Sequence, residues 1–324
     1  MEDEDENVDR DTKMRGELNP NLEKILELMN SRGISLTADT IEESRQQMRA
    51  FTNLSAGDPE PVDNVKDIGI PSLQGEIDAR VYEADTSLSD VPLTVFFHGG
   101  AFISGSIDTH DNVCRMLANR TEGAVVSVDY RLAPEHPFPA GVRDAYNATQ
   151  WVHDNADRFS SNSQNLTVAG DSAGGTLSAV VSLMARDRGL PKIAHQSLLY
   201  PATAHMEPME SRAENSGYFI NADEMLWIVS HYLQDDIQAR NPYAFPLQED
   251  DLSDLPPAHV ITAGYDPLRD EGKAYAEKME EQGVDVTYEN YESMMHGFVN
   301  MDGILDEADE ALTEVGKEIR EAVE

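Results

Sequence analysis

The stretch LTVAGDSAGG, Leu166 to Gly175, decides the fold. Leu166–Gly170 is a short run that is apolar on both faces, as a strand buried inside a parallel sheet requires. From Ala173 onward the segment AGGTLSAVVSLMARD has the length and apolar content of a helix. Ser172 stands on the turn between them. Gly170 and Gly174, two residues to either side, leave space where a Cβ would crowd the turn. Such a turn lifts the serine hydroxyl above the sheet, and the following helix points the positive end of its dipole at the same spot. Taken alone, the five residues also fit a Gly/Ser-rich loop that merely caps a helix.

Working outward, short apolar runs recur: LTVFF at 93–97, AVVSVDY at 124–130, HQSLLY at 195–200 and AHVITAG at 258–264. Most are separated by helical patterns such as DAYNATQWVHDNADRF and PLRDEGKAYAEKMEEQG. Strands alternating with helices indicate an α/β fold with a mostly parallel central sheet and helices on both faces. GEIDARVYEA alternates Ile77, Ala79 and Val81 in the manner of a half-exposed strand.

Before any strand come two helical patterns. The first carries Leu22, Ile25, Leu26 and Met29 and stops at Gly33; the second follows Thr40. The expected organisation is an acidic flexible tail over 1–16, an N-terminal helical cap segment over 17–55 and a catalytic domain over 56–324. Residues 205–245, rich in Met and aromatics, break the strand-helix rhythm and read as a cap excursion. Met206, Met209 and Met225 there fit either plain core or the wall of an apolar pocket.

A serine hydroxyl is a weak nucleophile and needs a base, usually a histidine oriented by a carboxylate. On this topology the order along the chain is Ser, then acid, then His. Asp266 follows the run AHVITAG, and His296, beside Gly297, follows the next strand-like run VTYENYES. Asp270 is the competing carboxylate, expected to lie one turn into a helix and aim elsewhere. Acyl transfer also builds negative charge on the former carbonyl oxygen, which calls for fixed N–H donors. Gly99 and Gly100, in the HGGAF that follows LTVFF, and Ala173 at the helix start are the expected donors. His98 reads as a brace for that loop rather than as a second base.

These motifs resemble the hormone-sensitive lipase family of α/β-hydrolases, the family IV esterases. HGGAF, DTHDNVCRMLA, VDYRLAPEHPFPA, GDSAGG, DPLRDEG and HGF stand in family order over about 210 residues. The resemblance implies an α/β-hydrolase fold with a helical cap and a triad of Ser172, Asp266 and His296. It also implies an oxyanion hole of Gly99, Gly100 and Ala173, and a carboxylesterase acting on short-chain acyl esters. One departure is Ala101, where the family usually has a third glycine; a positive φ there would cost an alanine about 1 kcal/mol. Arg131 and Glu135 of YRLAPEHP read as a structural pair. Other readings are a non-catalytic small-ligand binder under the cap, or a hydrolase of amides or acetylated sugars. Relatives in that family commonly dimerise through a sheet edge, so a homodimer is a further option.

Composition narrows the partners. The chain has 61 acidic residues against 24 basic ones, a net charge of -37. Such a surface repels phosphate backbones and anionic lipid, which argues against nucleic acid and membrane partners. Screened repulsion among these charges comes to roughly 2 kcal/mol at 0.15 M salt and more than about 10 kcal/mol near 0.01 M. The expectation is a salt-adapted protein whose stability and activity rise with salt into the molar range. Cys114, the single cysteine, excludes an internal disulfide and reads as a buried apolar residue. With no apolar leader and no stretch approaching a membrane span, the expected compartment is the cytoplasm. Neither H-E-x-x-H nor a paired-cysteine pattern is present, so no metal or cofactor is expected.

Overall fold

The computed structural model describes residues 14–324 apart from 36, 74 and 219. Two helices come first, α1 (Pro20–Arg32) and α2 (Ile41–Ser55). The strands are β1 (Asn64–Ser72), β2 (Gly75–Glu83), β3 (Leu93–Phe97), β4 (Ala124–Val128), β5 (Leu166–Asp171), β6 (His195–Leu199), β7 (Ala258–Tyr265) and β8 (Val286–Met295). They form one sheet in the order β1-β2-β4-β3-β5-β6-β7-β8. β1 and β2 make an antiparallel hairpin, β2 runs antiparallel to β4, and β4 through β8 are parallel.

Between and after the strands lie α3 (Asp111–Thr121), α4 (Ala140–Asp154), α5 (Ala173–Arg188), α6 (Glu210–Glu214), α7 (Ala222–Tyr232), α8 (Arg269–Glu281) and α9 (Asp306–Val323). Strand side chains alternate between two apolar layers. Val95 and Phe97 of β3 pack with Val142 and Ala145 of α4 and Leu177 and Val180 of α5. Phe96 points the other way, into a cluster with Leu117 of α3 and Leu312 and Val315 of α9. Each fully buried side chain of this size stabilises the fold by about 1.5–3 kcal/mol. The sheet is therefore covered on both faces, which is why its central runs are continuously apolar.

Helix boundaries follow local chemistry. Asn19 caps α1 by accepting from Asn21 N, and Gly33 ends it at φ 64°, a conformation open to glycine. Leu22, Ile25 and Met29 of α1 join the α9 layer, so this helix is core in its contacts. The excursion at 205–245 carries α6 and α7, the latter opened by a capping box between Asn221 and Glu224. Most of the expected tail, residues 1–13, lies outside the described residues. Its last residues are tied to β8: Asn290 Nδ2 donates to Met14 O at 2.9 Å, and Gly16 N donates to Glu292 O at 3.0 Å. The Arg15 guanidinium lies 4.1 Å from the Tyr265 ring centre.

One expected pairing is corrected. Arg131 does not pair with Glu135; its Nε and Nη2 bind the buried Asp144 at 2.7 and 2.8 Å. Glu135 is taken by Arg45 of α2, which also donates to Ile103 O and Ala133 O. A carboxylate chooses its arginine by the three-dimensional path of the chain, and Arg45, 90 residues away, has the closer approach.

Candidate active site

The turn after β5 holds Ser172 at φ 54° and ψ -118°, a conformation that strains any residue bearing a Cβ. Close packing enforces it. A Cβ on Gly174 would stand 1.8 Å from Phe97 O, and one on Gly170 would stand 2.4 Å from Gly174 O. Ser172 N is anchored by donating to Leu199 O at 2.8 Å.

Loops after β7 and β8 bring the other two side chains to the same place. His296 Nε2 lies 2.9 Å from Ser172 Oγ, and His296 Nδ1 lies 2.7 Å from Asp266 Oδ2. Asp266 Oδ1 accepts from Leu268 N at 2.8 Å, which fixes the carboxylate's orientation. Asp266 is fully buried and His296 is 5% exposed. Burial opposes the imidazolium, but the adjacent Asp266 carboxylate, with Asp171 and Glu271 behind it, outweighs burial and raises the His296 pKa. Asp270 is turned away, as expected: its Oδ2 accepts from Ser211 N and its Oδ1 from Arg269.

The loop after β3 differs in one important respect. Gly99 N, expected to face the serine, donates instead to Asp171 Oδ1 at 2.8 Å. It is therefore spent on protein and does not line the pocket. Gly100, Ala101 and Ala173 do line it, and none of their amides donates to another group among the described residues. Gly100 has φ 123° and Ala101 φ 58°, so the alanine does take the left-handed conformation that glycine would hold without strain. His98 braces the loop: its Nδ1 donates to Gly99 O at 2.8 Å and its ring stacks on Tyr130. Burial, aided by His110, pushes its pKa down to about 3, so it is neutral near pH 7.

Above Ser172 opens a cavity of about 960 Å³, its mouth included. Phe51 and Met48 of α2 form one wall; Met206, Met225, Ile228 and Tyr232 of the excursion form another. Met209 takes no part, and among the described residues α2 rather than α1 supplies the N-terminal side. Two pocket carboxylates escaped the sequence reading although both stand inside quoted motifs: Asp171 of GDSAGG and Glu271 of DPLRDEG. Glu271 is fully buried, pairs with Arg212 and accepts from Ala204 N at 3.2 Å. Burial pushes its pKa up to about 7, against the pull of Arg212. Cys114 is buried, and burial pushes its thiol pKa up.

Residues 94–300 match the family described as alpha/beta hydrolase fold. The chain belongs to this family. The hydrolase is 40% identical over 298 residues to the esterase LipI of Mycobacterium tuberculosis, covering 91% of this chain and 92% of that one. It is 36% identical over 267 residues to an arylesterase of Saccharolobus solfataricus, covering 82% and 87%. Among solved structures, a hyperthermophilic esterase of Pyrobaculum calidifontis superposes with a TM-score of 0.88 at 43% identity, covering 94% of this chain and 99% of that one. Among the described residues, no helix of the hydrolase is long and apolar enough to cross a membrane.

Proposed function

We propose that the hydrolase cleaves short-chain carboxylic esters through a covalent acyl-enzyme on Ser172. The observation that carries this reading is the unbroken contact from Ser172 Oγ to His296 to Asp266, at 2.9 and 2.7 Å. Ester hydrolysis agrees with the names of the relatives given above.

His296 Nε2 takes the serine proton as Oγ attacks the ester carbonyl, and Asp266 holds the imidazole and favours its charged form. The carbonyl oxygen gains charge and is met by the N–H groups of Gly100, Ala101 and Ala173, which replace the set containing Gly99. His296 then protonates the leaving alcohol. Water, deprotonated by the same nitrogen, releases the acid and restores Ser172.

A pocket walled by Met, Ile and aromatic side chains suits an apolar acyl chain, and its enclosure by α2 and α7 favours short ones. The acidic excess further suggests a protein adapted to high salt. A series of p-nitrophenyl esters from acetate to palmitate, compared with Ser172→Ala, tests the activity. Turnover should peak at short chains and fall by about 10⁴-fold or more in the variant. Near-normal turnover by Ser172→Ala would overturn the assignment.

A further inference from the structure

The residue before the nucleophile, Asp171, has no part in the proton relay yet is 3% exposed at the pocket floor. Its carboxylate touches three separate elements. Gly99 N donates to Oδ1 at 2.8 Å, directly before the pocket-lining Gly100. Asn300 Nδ2 donates to Oδ2 at 3.0 Å, four residues beyond His296. His110 Nε2 lies 3.1 Å from Oδ1, on the 3-10 turn Asp108–His110. A carboxylate taken out of water is costly unless its lone pairs are filled, and here donors from several directions fill them. Burial opposes its ionisation, but His110, Gly99 and Asn300 together hold the pKa below the usual carboxylate range.

We infer that Asp171 is a positioning residue that fixes the oxyanion loop and the His296 loop relative to Ser172. Being adjacent to Ser172 in the chain, it references both loops to the nucleophile itself. A side chain at Gly99 would push this carboxylate aside, since its Cβ would stand 2.5 Å from Asp171 Oδ2. The three contacts set where the Gly100 and Ala101 amides sit, and an error near 1 Å in such groups costs about 100-fold in rate. The inference rests on the acyl-enzyme reading, and its test separates the two.

Wild type, Ser172→Ala, Asp171→Asn and Asn300→Ala are compared by p-nitrophenyl butyrate kinetics, fluorophosphonate labelling rate and thermal melting. Asp171→Asn is nearly isosteric but replaces one of the two oxygens that accept from Gly99 N and Asn300 Nδ2 with a donor. It should lower kcat by about 10- to 100-fold with KM within about threefold, and slow labelling to a similar degree. Asn300→Ala, which leaves the Gly99 contact in place, should show the same split at smaller size. It carries the test should Asp171→Asn fail to fold. If both folded variants keep wild-type kcat and labelling rates, or if they raise KM alone, the positioning role is wrong. If wild type is not labelled, or Ser172→Ala is labelled equally, the acyl-enzyme reading fails instead.

Discussion

His296 Nδ1 lies 2.7 Å from Asp266 Oδ2, with both side chains buried. The carboxylate raises the imidazole pKa despite burial, so the imidazolium is favoured relative to free histidine. Only the neutral ring accepts the Ser172 proton. Activity should therefore fall as pH drops through a value above the ordinary histidine pKa of about 6.5. Asp266→Asn should move that limb to lower pH and cut kcat by about 10⁴-fold. A kcat/KM profile whose acid limb is unmoved in the variant would contradict the coupling.

Gly174 and Gly189 should respond very differently to alanine. The Cβ at 174 would meet the main-chain carbonyl of Phe97, which cannot rotate aside, whereas nothing lies within 4 Å at 189. Gly174→Ala should destabilise by about 3 kcal/mol or more and abolish activity. Gly189→Ala, strained only by its φ of 78°, should cost about 1 kcal/mol. Denaturant melts of the two variants check this, and equal losses would refute it.

Ala101 pays for φ 58° with about 1 kcal/mol, while glycine there would cost a similar amount in unfolded-chain entropy. Ala101→Gly should then leave the melting temperature within about 2 °C and activity within about threefold. Ala101→Val, β-branched at positive φ, should displace the loop and lose at least about tenfold in kcat. Activity retained by the valine variant would show that this amide is not a donor.

Much of this site is legible in the sequence because its constraints are local. Gly170 and Gly174 announce the tight turn at Ser172, and the strand runs before Asp266 and His296 place both at the same sheet edge. What the sequence hides is direction and distant choice. No residue type tells that Gly99 N points to Asp171 rather than into the pocket, since glycine leaves the peptide plane free to turn either way. Arg131 and Glu135, four apart and of opposite sign, invite pairing, yet Asp144 and Arg45 arrive from other elements with better geometry. β1 also escapes notice, because NVKDIGIPS holds a proline and a glycine and gains its strand form from pairing with β2.

Salt should stabilise the protein. With 61 acidic and 24 basic residues, carboxylates gather around scarce cations: Arg80 alone holds Asp67, Asp108 and Asp111. Screening shortens the Debye length from about 10 Å at 0.1 M to about 3 Å at 1 M, which relieves the remaining repulsion. The melting temperature should rise across a KCl series over this range, and activity with it. A flat or falling series would count against salt adaptation.

Mass spectrometry of the chain after reaction with a fluorophosphonate measures the central claim most directly. A single adduct on the peptide carrying Ser172, formed quickly by wild type and at least about 10³-fold more slowly by His296→Ala, is the predicted result. An adduct at another residue, or equal labelling when the imidazole is removed, would contradict the relay from Ser172 through His296 to Asp266.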